Sequence, residues 1–170
     1  MTDTRVSRAD AAHVTMASPI GTIAVSAVPE GLTHVRTGAD PVARAWGDAA
    51  AMPLLETAVR QLEAYFAGRL TEFDLPLAAS GTDFRQRVWA ALRRIPYGTT
   101  VSYGDIARDI GSPAAVRAVG AANGSNPIAV IVPCHRVIGS DGKLTGYSGG
   151  VWRKERLLAL ERGESGLFAA

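Results

Sequence analysis

The first part of the chain alternates apolar residues with small or polar ones. The segment 18–27 alternates in the manner of a half-buried strand, 29–31 has the composition of a turn, and 32–36 is predicted to be the returning strand of a hairpin. Apolar side chains then recur at helical spacing until Gly68; they are Leu54, Leu55, Ala58, Val59, Leu62, Tyr65 and Phe66. This part of the chain therefore predicts a small α/β lobe.

A second periodic pattern follows the segment 75–81, which has the composition of a linker. Thr82 or Asp83 is predicted to cap a helix. Its apolar face consists of Phe84, Val88, Leu92 and Ile95, and its other face carries Arg85, Arg87, Arg93 and Arg94. We therefore divide the chain into an N-terminal α/β lobe, 1–80, and a mostly helical C-terminal domain, 81–170.

Two short helices are predicted next. Ser102 and Asp105 have the spacing of a capping box, and Gly111 is a plausible end of the first helix. Ser112 and Pro113 are predicted to start the second helix as its N-cap and first-turn proline. Two short helices separated by a tight glycine turn form a helix-turn-helix, although many such pairs are packing units that bind no nucleic acid.

The second of these helices has an unusually flat surface. Its small residues are Ala114, Ala115, Ala118, Gly120, Ala121 and Ala122, and Arg117 is its one long side chain. Small residues allow the helix backbone to approach another helix closely, or a nucleic-acid backbone or minor groove into which one arginine is inserted.

The charge is distributed unevenly along the 170 residues. Residues 1–80 carry six Lys/Arg and nine Asp/Glu, which gives a net charge of −3. Residues 81–160 carry eleven Lys/Arg and five Asp/Glu, which gives a net charge of +6. A basic region of this kind is typical of a surface that binds a polyanion, and a solvated arginine face is the alternative.

Composition excludes several other classes of protein. No apolar stretch approaches the length of a membrane span, and residues 1–10 lack the apolar core of a secretory signal, so we expect a cytoplasmic protein that does not contact a membrane. The single cysteine can form neither an internal disulfide nor a cysteine-rich zinc site.

That cysteine, Cys134, follows the apolar stretch 128–132, which is predicted to be a short strand that carries it. His135 and Arg136 are cationic neighbours that favour a thiolate, so a low pKa is predicted; a buried structural cysteine is the alternative. Adjacent side chains of an extended segment point to opposite faces, so a proton relay from Cys134 to His135 requires a water. A cysteine hydrolase, which needs a direct Cys-His hydrogen bond, is therefore a weaker hypothesis.

Six motifs occur in the order found in one known family. They are Ile95-Pro-Tyr-Gly, Val101-Ser-Tyr-Gly, Arg117-Ala-Val-Gly, Asn126-Pro, Pro133-Cys-His-Arg-Val and Gly146-Tyr-Ser-Gly-Gly. The chain thus resembles the O6-alkylguanine-DNA alkyltransferases, or methylated-DNA-protein-cysteine methyltransferases, of the bacterial single-protein type, from about residue 18 to residue 161.

The resemblance implies roles for the residues around the cysteine. Cys134 is expected to be the alkyl acceptor, His135 its base through water, and Glu161 the residue that orients the imidazole. Tyr103 is expected to donate a proton or hydrogen bond to the leaving guanine. The backbone around Cys134 and Val137 is expected to read the guanine amino group, and Tyr147 and Ser148 to line the loop that closes over the base. Asn126 is expected to brace the turn before the active-site strand.

The resemblance also implies a DNA interface. Arg117 is expected to fill the gap left by an extruded nucleotide. The surface that contacts DNA around it is expected to include Ser102, Ala115, Ala118 and Gly120.

The implied function is repair of O6-alkylguanine, and of O4-alkylthymine, in double-stranded DNA by direct, irreversible and stoichiometric transfer to Cys134 after base flipping. An N-terminal lobe with a ribonuclease-H-like fold is implied as well. Some members bind zinc in that lobe through cysteine and histidine; here it has His13 and His34 but no cysteine, so we predict no metal and no other cofactor. We expect a monomer that can cluster on DNA. The alternative, a protein that recognises damaged DNA without repairing it, is opposed by the presence of Cys134.

Overall fold

The N-terminal half forms a three-stranded antiparallel sheet covered by one helix. In the computed structural model, which describes residues 11–164, the strands lie in the order β1 (Ala12–Met16), β2 (Ile23–Val28) and β3 (Gly31–Thr37), and helix α1 (Met52–Phe66) packs on them. The predicted hairpin and helix are confirmed, whereas β1 was not predicted. The segment 1–10, where a signal was sought, and the segment 165–170, which ends the second domain, lie outside the described residues.

Alternation along β2 explains how this sheet buries one face. Ile23, Val25 and Ala27 are fully buried, with a less buried residue after each of the first two. Helix α1 presents buried residues every three or four positions, so that one stripe of the helix faces the sheet; they are Leu55, Ala58, Leu62 and Tyr65. The helix starts with Pro53 in its first turn, where a missing N–H is harmless.

The C-terminal half is mostly helical. Its elements are α2 (Asp83–Arg93), β4 (Val101–Ser102), α3 (Tyr103–Asp109), α4 (Val116–Gly124), β5 (Val137–Ile138) and α5 (Val151–Glu161). Strands β4 and β5 form a short parallel pair. The side chain of Thr82 caps α2, and Ser102 and Asp105 form the predicted capping box of α3. Among residues 11–164, no helix combines the length and apolarity needed to cross a bilayer.

The predicted start of the second short helix is wrong. Helix α4 begins at Val116 rather than at Pro113, and its N-cap, Ala115, provides no side-chain hydrogen bond. Ser112 instead accepts a backbone hydrogen bond from Ala115 at 2.9 Å in a turn whose second residue is Pro113, a position that suits the fixed φ of proline. Gly111 has a positive φ of 73° just after α3 and separates the two helices as predicted.

The predicted strand before the cysteine is also wrong. Residues 128–132 form turns, in which the amide of Val132 donates to the carbonyl of Ile128 at 3.0 Å. Cys134 lies in a short 3-10 helix, Cys134–Arg136, and β5 begins only after it. The apolar run is continuous because the turn is buried, and continuous burial does not distinguish a turn from a strand.

This buried turn contains one strained residue. Val130 is fully buried and has a φ of 71°, which is rare for a β-branched residue. Such a conformation persists only where the surrounding contacts enforce it, and here it lies four residues before Cys134.

The two halves are joined along the outer edge of β3. Val35 exchanges backbone hydrogen bonds of 2.9 and 3.0 Å with Pro127 and Ala129 of the C-terminal half, and next to them Leu32 bonds to Pro76 and Ala78, which end the N-terminal lobe, at 2.9 and 2.7 Å. One hydrophobic core runs through both halves. The segment that leads to Cys134 is therefore docked directly on the N-terminal sheet.

Candidate active site

Cys134 is held by the backbone of a braced turn. It is 6% exposed, and its amide donates to the carbonyl of Val132 at 2.8 Å. The Asn126 side chain spans the turn: its Nδ2 donates to Val132 at 2.8 Å and to Ile128 at 3.4 Å, and its Oδ1 accepts from the Ile128 amide at 3.0 Å. Asn126 therefore braces the turn that precedes Cys134.

The prediction of a low pKa for the thiol is wrong. Burial raises the pKa of Cys134, and it outweighs the opposing effects of a hydrogen bond from Asn126 and of the charge on Lys154. The predicted cationic neighbours face elsewhere, since His135 and Arg136 both bond to Glu161. The thiol is protonated at rest, and its reaction requires a base.

His135 is positioned to be that base. Its side chain is fully buried, and its Nε2 lies 2.8 Å from Oε1 of Glu161, the last residue of α5. Burial lowers the pKa of His135 despite the nearby carboxylate, so the imidazole is neutral near pH 7. The other ring nitrogen, Nδ1, is buried and has no hydrogen-bond partner among the described residues.

The surroundings of Glu161 determine the tautomer of this imidazole. Its carboxylate accepts hydrogen bonds from Tyr65 at 2.7 Å, from Arg136 at 2.8 to 3.2 Å and from the Gly98 amide at 3.2 Å. Burial acts to raise the pKa of Glu161, but the hydrogen bonds from His135 and Arg136 lower it far below its ordinary value. An ionised carboxylate only accepts, so Nε2 of His135 carries the proton and Nδ1 has a free lone pair.

Lys154 was not identified from the sequence. It is fully buried, and its Nζ donates to the carbonyls of Val137 at 2.5 Å and of Thr145 at 3.1 Å. Burial lowers the pKa of Lys154, and Cys134 acts to raise it. The residue occurs in a charged run of α5 that is typical of a solvated face, so the pattern carried no signal for it.

A cavity of about 560 Å³ is lined by residues that bond to this cluster, since Asn123 donates to the carbonyl of Cys134 and Thr145 accepts from Lys154. Its wall includes Tyr103, Gly120, Asn123, Tyr147 and Ser148. The Tyr147 hydroxyl is buried without a hydrogen-bond partner among the described residues, and burial raises the pKa of Tyr147 well above its ordinary value. The cavity therefore brings Tyr103, helix α4 and the two loop residues Tyr147 and Ser148 together in one site.

Tyr103 is the first residue of α3, so the capping box at Ser102 fixes where its ring projects. Its hydroxyl donates to the Thr145 carbonyl at 3.4 Å and accepts from the Thr145 hydroxyl at 3.3 Å. Nζ of Lys154 lies 5.9 Å from its ring centre. The hydroxyl is weakly held at the cavity wall, where it is available to donate to a bound group.

Helix α4 forms one wall of the cavity. Arg117 and Ala118 are exposed, whereas Ala115 and Gly120 are half-buried. The opposite side of the helix is held in place because the indole N–H of Trp89 donates to the carbonyl of Ala122 at 2.9 Å. An exposed arginine thus projects from a rigid helix that also lines the cavity.

The N-terminal lobe holds the loop that borders this cavity. The Thr37 hydroxyl donates to the carbonyl of Ser148 at 3.3 Å. Arg153 donates to the carbonyl of Ile20 at 2.8 Å and also bonds to the carbonyl of Gly149. Both lobes therefore determine the position of the loop.

The chain matches known proteins along nearly all of the described part. Residues 12–79 match the family described as "6-O-methylguanine DNA methyltransferase, ribonuclease-like domain", and residues 83–163 match "6-O-methylguanine DNA methyltransferase, DNA binding domain". The chain is 53% identical over 154 residues to a methylated-DNA–protein-cysteine methyltransferase of Mycolicibacterium paratuberculosis, which covers 89% of this chain and 92% of that protein.

Two further matches extend this comparison. A methylated-DNA–protein-cysteine methyltransferase of Methanosarcina acetivorans is 53% identical over 148 residues, which span 85% of this chain and 94% of that protein. The solved structure of Mycobacterium tuberculosis OGT in complex with DNA is 54% identical, with a TM-score of 0.80 over 89% of this chain and 92% of that one.

Proposed function

Because the chain belongs to the 6-O-methylguanine DNA methyltransferase family, we propose that it binds double-stranded DNA and moves an alkyl group from O6 of guanine to Sγ of Cys134. The observation that carries the assignment of Cys134 is that it precedes a neutral, carboxylate-held imidazole and that its carbonyl accepts a hydrogen bond from Asn123, a residue of the cavity wall. We infer from these surroundings that His135 and Glu161 activate the thiol.

The proton leaves the thiol through the imidazole. His135 accepts it at Nδ1, by way of one water, because Nδ1 makes no direct hydrogen bond to Sγ or to any other group of the described residues. Glu161 stabilises the resulting imidazolium at Nε2. Tyr65 and Arg136 keep the carboxylate in place, so the charge on His135 is paired as it forms.

Transfer is a displacement at the alkyl carbon. The thiolate of Cys134 forms a C–S bond as the C–O6 bond breaks, and the electron pair of that bond stays on guanine. The Tyr103 hydroxyl donates to the developing anion, and the proton held by His135 returns to guanine through solvent. The product at Cys134 is a thioether without an activated carbonyl, so each molecule reacts once.

The target nucleotide must leave the duplex before it can reach a buried thiol. Extrusion costs roughly a few kcal/mol, because stacking and pairing are lost. We infer that Arg117 offsets part of this free-energy cost by filling the gap that the nucleotide leaves. The small residues around it, Ala115, Ala118 and Gly120, allow the helix to approach DNA closely. Ser102, at the start of α3, completes the interface.

Several finer points belong to the same proposal. We infer that O4-alkylthymine is accepted as well, since it presents the same alkyl-oxygen bond, and that the protein acts as a monomer that can cluster on DNA. The bonds, the electron pair and the proton of the transfer are all accounted for by Cys134, His135 and the DNA, so the reaction requires no cofactor. Because the substrate is DNA, we infer that the protein acts in the cytoplasm.

The decisive experiment is mass spectrometry of the peptide that contains Cys134. After incubation with an excess of a duplex that contains O6-methylguanine, that peptide should gain one methyl group. The total number of methyl groups transferred should not exceed one per protein molecule. Cys134→Ala should bind the same duplex and show no gain. An unmodified Cys134 under conditions of demonstrated binding would instead favour a protein that recognises damage without repairing it.

A further inference from the structure

The side chain of Arg153 joins the loop 146–150, which borders the cavity, to the N-terminal lobe. Its Nε donates to the carbonyl of Ile20 at 2.8 Å, and its Nη1 donates to the carbonyl of Gly149. The guanidinium also lies over the ring of Trp152, 4.4 Å from its centre. Because a guanidinium is planar and rigid, these contacts fix the distance between the two backbone segments.

The backbone turns around this guanidinium contain glycine. They are Gly21 and Gly38 in the N-terminal lobe and Gly149 in the loop, with φ values of 97°, 74° and 87°. A Cβ atom at these positions would lie 3.5, 3.2 and 2.8 Å from a terminal nitrogen of Arg153. A larger residue at Gly149 would therefore displace the guanidinium. The three glycine turns form a socket that closes around Arg153 from both lobes.

The loop 146–150 depends on such contacts for its position. Glycine occupies three of its five positions, 146, 149 and 150, and all three have a positive φ. Glycine adopts more backbone conformations than other residues, so the loop has little stiffness of its own. Tyr147 and Ser148, which lie between the glycines, line the cavity. The socket therefore holds one wall of the cavity in place.

We propose that Arg153 is a positioning residue that fixes this loop against the N-terminal lobe and thereby limits the size of the alkyl group that the cavity accepts. The inference rests on the proposed function. A methyl group needs little room, whereas additional methylene groups fit only where the wall of the site can shift. Release of the loop from Arg153 should therefore favour transfer of larger groups relative to methyl.

The test compares two alkyl groups in otherwise identical duplexes. Single-turnover transfer is measured from O6-methylguanine and from O6-butylguanine, with the protein in excess. Arg153→Met retains a long side chain without its donors, and the ratio of the butyl rate to the methyl rate should rise by about fivefold or more. Arg153→Lys can still donate to one of the two carbonyls, so it should restore part of the original ratio. The intrinsic reactivity of the two groups is common to all variants and does not affect this comparison.

Arg156→Met is the matched control. Arg156 joins the same helix to the N-terminal lobe through the carbonyl of Pro19 at 2.6 Å, but within the described chain it makes no hydrogen bond to the loop. This variant should keep the original ratio. Thr37→Ala removes the other bond between the N-terminal lobe and the loop, at the carbonyl of Ser148, and should raise the ratio as well.

An unchanged ratio in folded Arg153→Met would overturn the inference, and if that variant does not fold, an unchanged ratio in Thr37→Ala would do so. An equal loss of rate with both alkyl groups would also overturn it, because that result indicates a purely structural role. An equal rise of the ratio in Arg156→Met would assign the effect to the docking of α5 and not to the loop. Absence of any methyl transfer by the unaltered protein would refute the proposed function itself, which separates the two failures.

Discussion

The hydroxyl of Tyr65 lies 2.7 Å from Oε1 of Glu161, so the first helix of the N-terminal lobe contacts the carboxylate that holds His135. Burial and the charge of Glu161 raise the pKa of Tyr65 well above its ordinary value, which keeps this hydroxyl a donor. The N-terminal lobe therefore supports the active site directly, and not only through the sheet edge.

Tyr65→Phe should lower the free energy of unfolding by about 1.5–3 kcal/mol, as expected for a lost hydrogen bond to a charged group. Methyl transfer should slow only severalfold, because Arg136 still holds Glu161. Urea denaturation and single-turnover transfer measure the two effects. Tyr97→Phe is the matched control, since Tyr97 packs edge-on against Tyr65 and no hydrogen bond joins it to Glu161 in the described chain. A loss of similar size in both variants would contradict the assignment.

The pH dependence of transfer should reflect His135. Burial lowers the pKa of His135 from its ordinary 6.5, so the imidazole remains an active base below that pH, and the rate should fall only on further acidification. In His135→Gln the thiol has no base. Because burial raises the pKa of Cys134 above its ordinary 9.0, the rate of this variant should keep rising with pH beyond 9.0. A variant with the same pH profile as the unaltered protein would remove His135 from the mechanism.

Local patterns predicted the elements that depend on local chemistry. The capping box of Ser102 and the helical stripe of α1 follow from neighbouring residues, and both were correct. The motif resemblance also named Glu161, whose contact with His135 spans 26 residues. Lys154 was missed because only the tertiary fold buries it, and Arg136 was misinterpreted because its partner lies in α5.

Stability should fall in two steps on acidification. The pKa of His135 is lowered in the folded state, so below the ordinary 6.5 the unfolded chain binds a proton that the folded one does not, and stability declines as the pH falls. The pKa of Glu161 is also lowered, so its contribution is complete above the ordinary 4.5 and is lost as the pH falls towards its folded value. Urea unfolding at several pH values measures both steps. His135→Gln should remove the first loss of stability, and Glu161→Gln should remove the second. If either loss of stability persists in the corresponding variant, that loss comes from another titrating group.

Lys154→Met should slow methyl transfer by about tenfold at neutral pH. The buried ammonium lowers the pKa of Cys134, and the loss of a neighbouring opposite charge shifts a pKa by about one unit or more. The pH at which Cys134 reacts with iodoacetamide should move upwards by the same amount. Lys143→Met, at a side chain that is 80% exposed, is the control and should leave both measurements unchanged. A slower transfer without a shift in iodoacetamide reactivity would indicate that Lys154 acts only on the backbone of Val137 and Thr145.

Arg117→Ala should affect extrusion of the nucleotide more than attraction to DNA. Arg117 is one of many basic residues in its domain. The slope of log affinity against log salt concentration should therefore change by no more than the amount expected for one phosphate contact. Transfer from a duplex should slow by about tenfold, because the gap left by the flipped base is no longer filled. A single-stranded oligonucleotide with the same O6-methylguanine requires no gap to be filled, so its rate should be nearly unchanged. Equal slowing on both substrates would mean that Arg117 acts on the bound base or on Cys134 and does not stabilise the opened duplex.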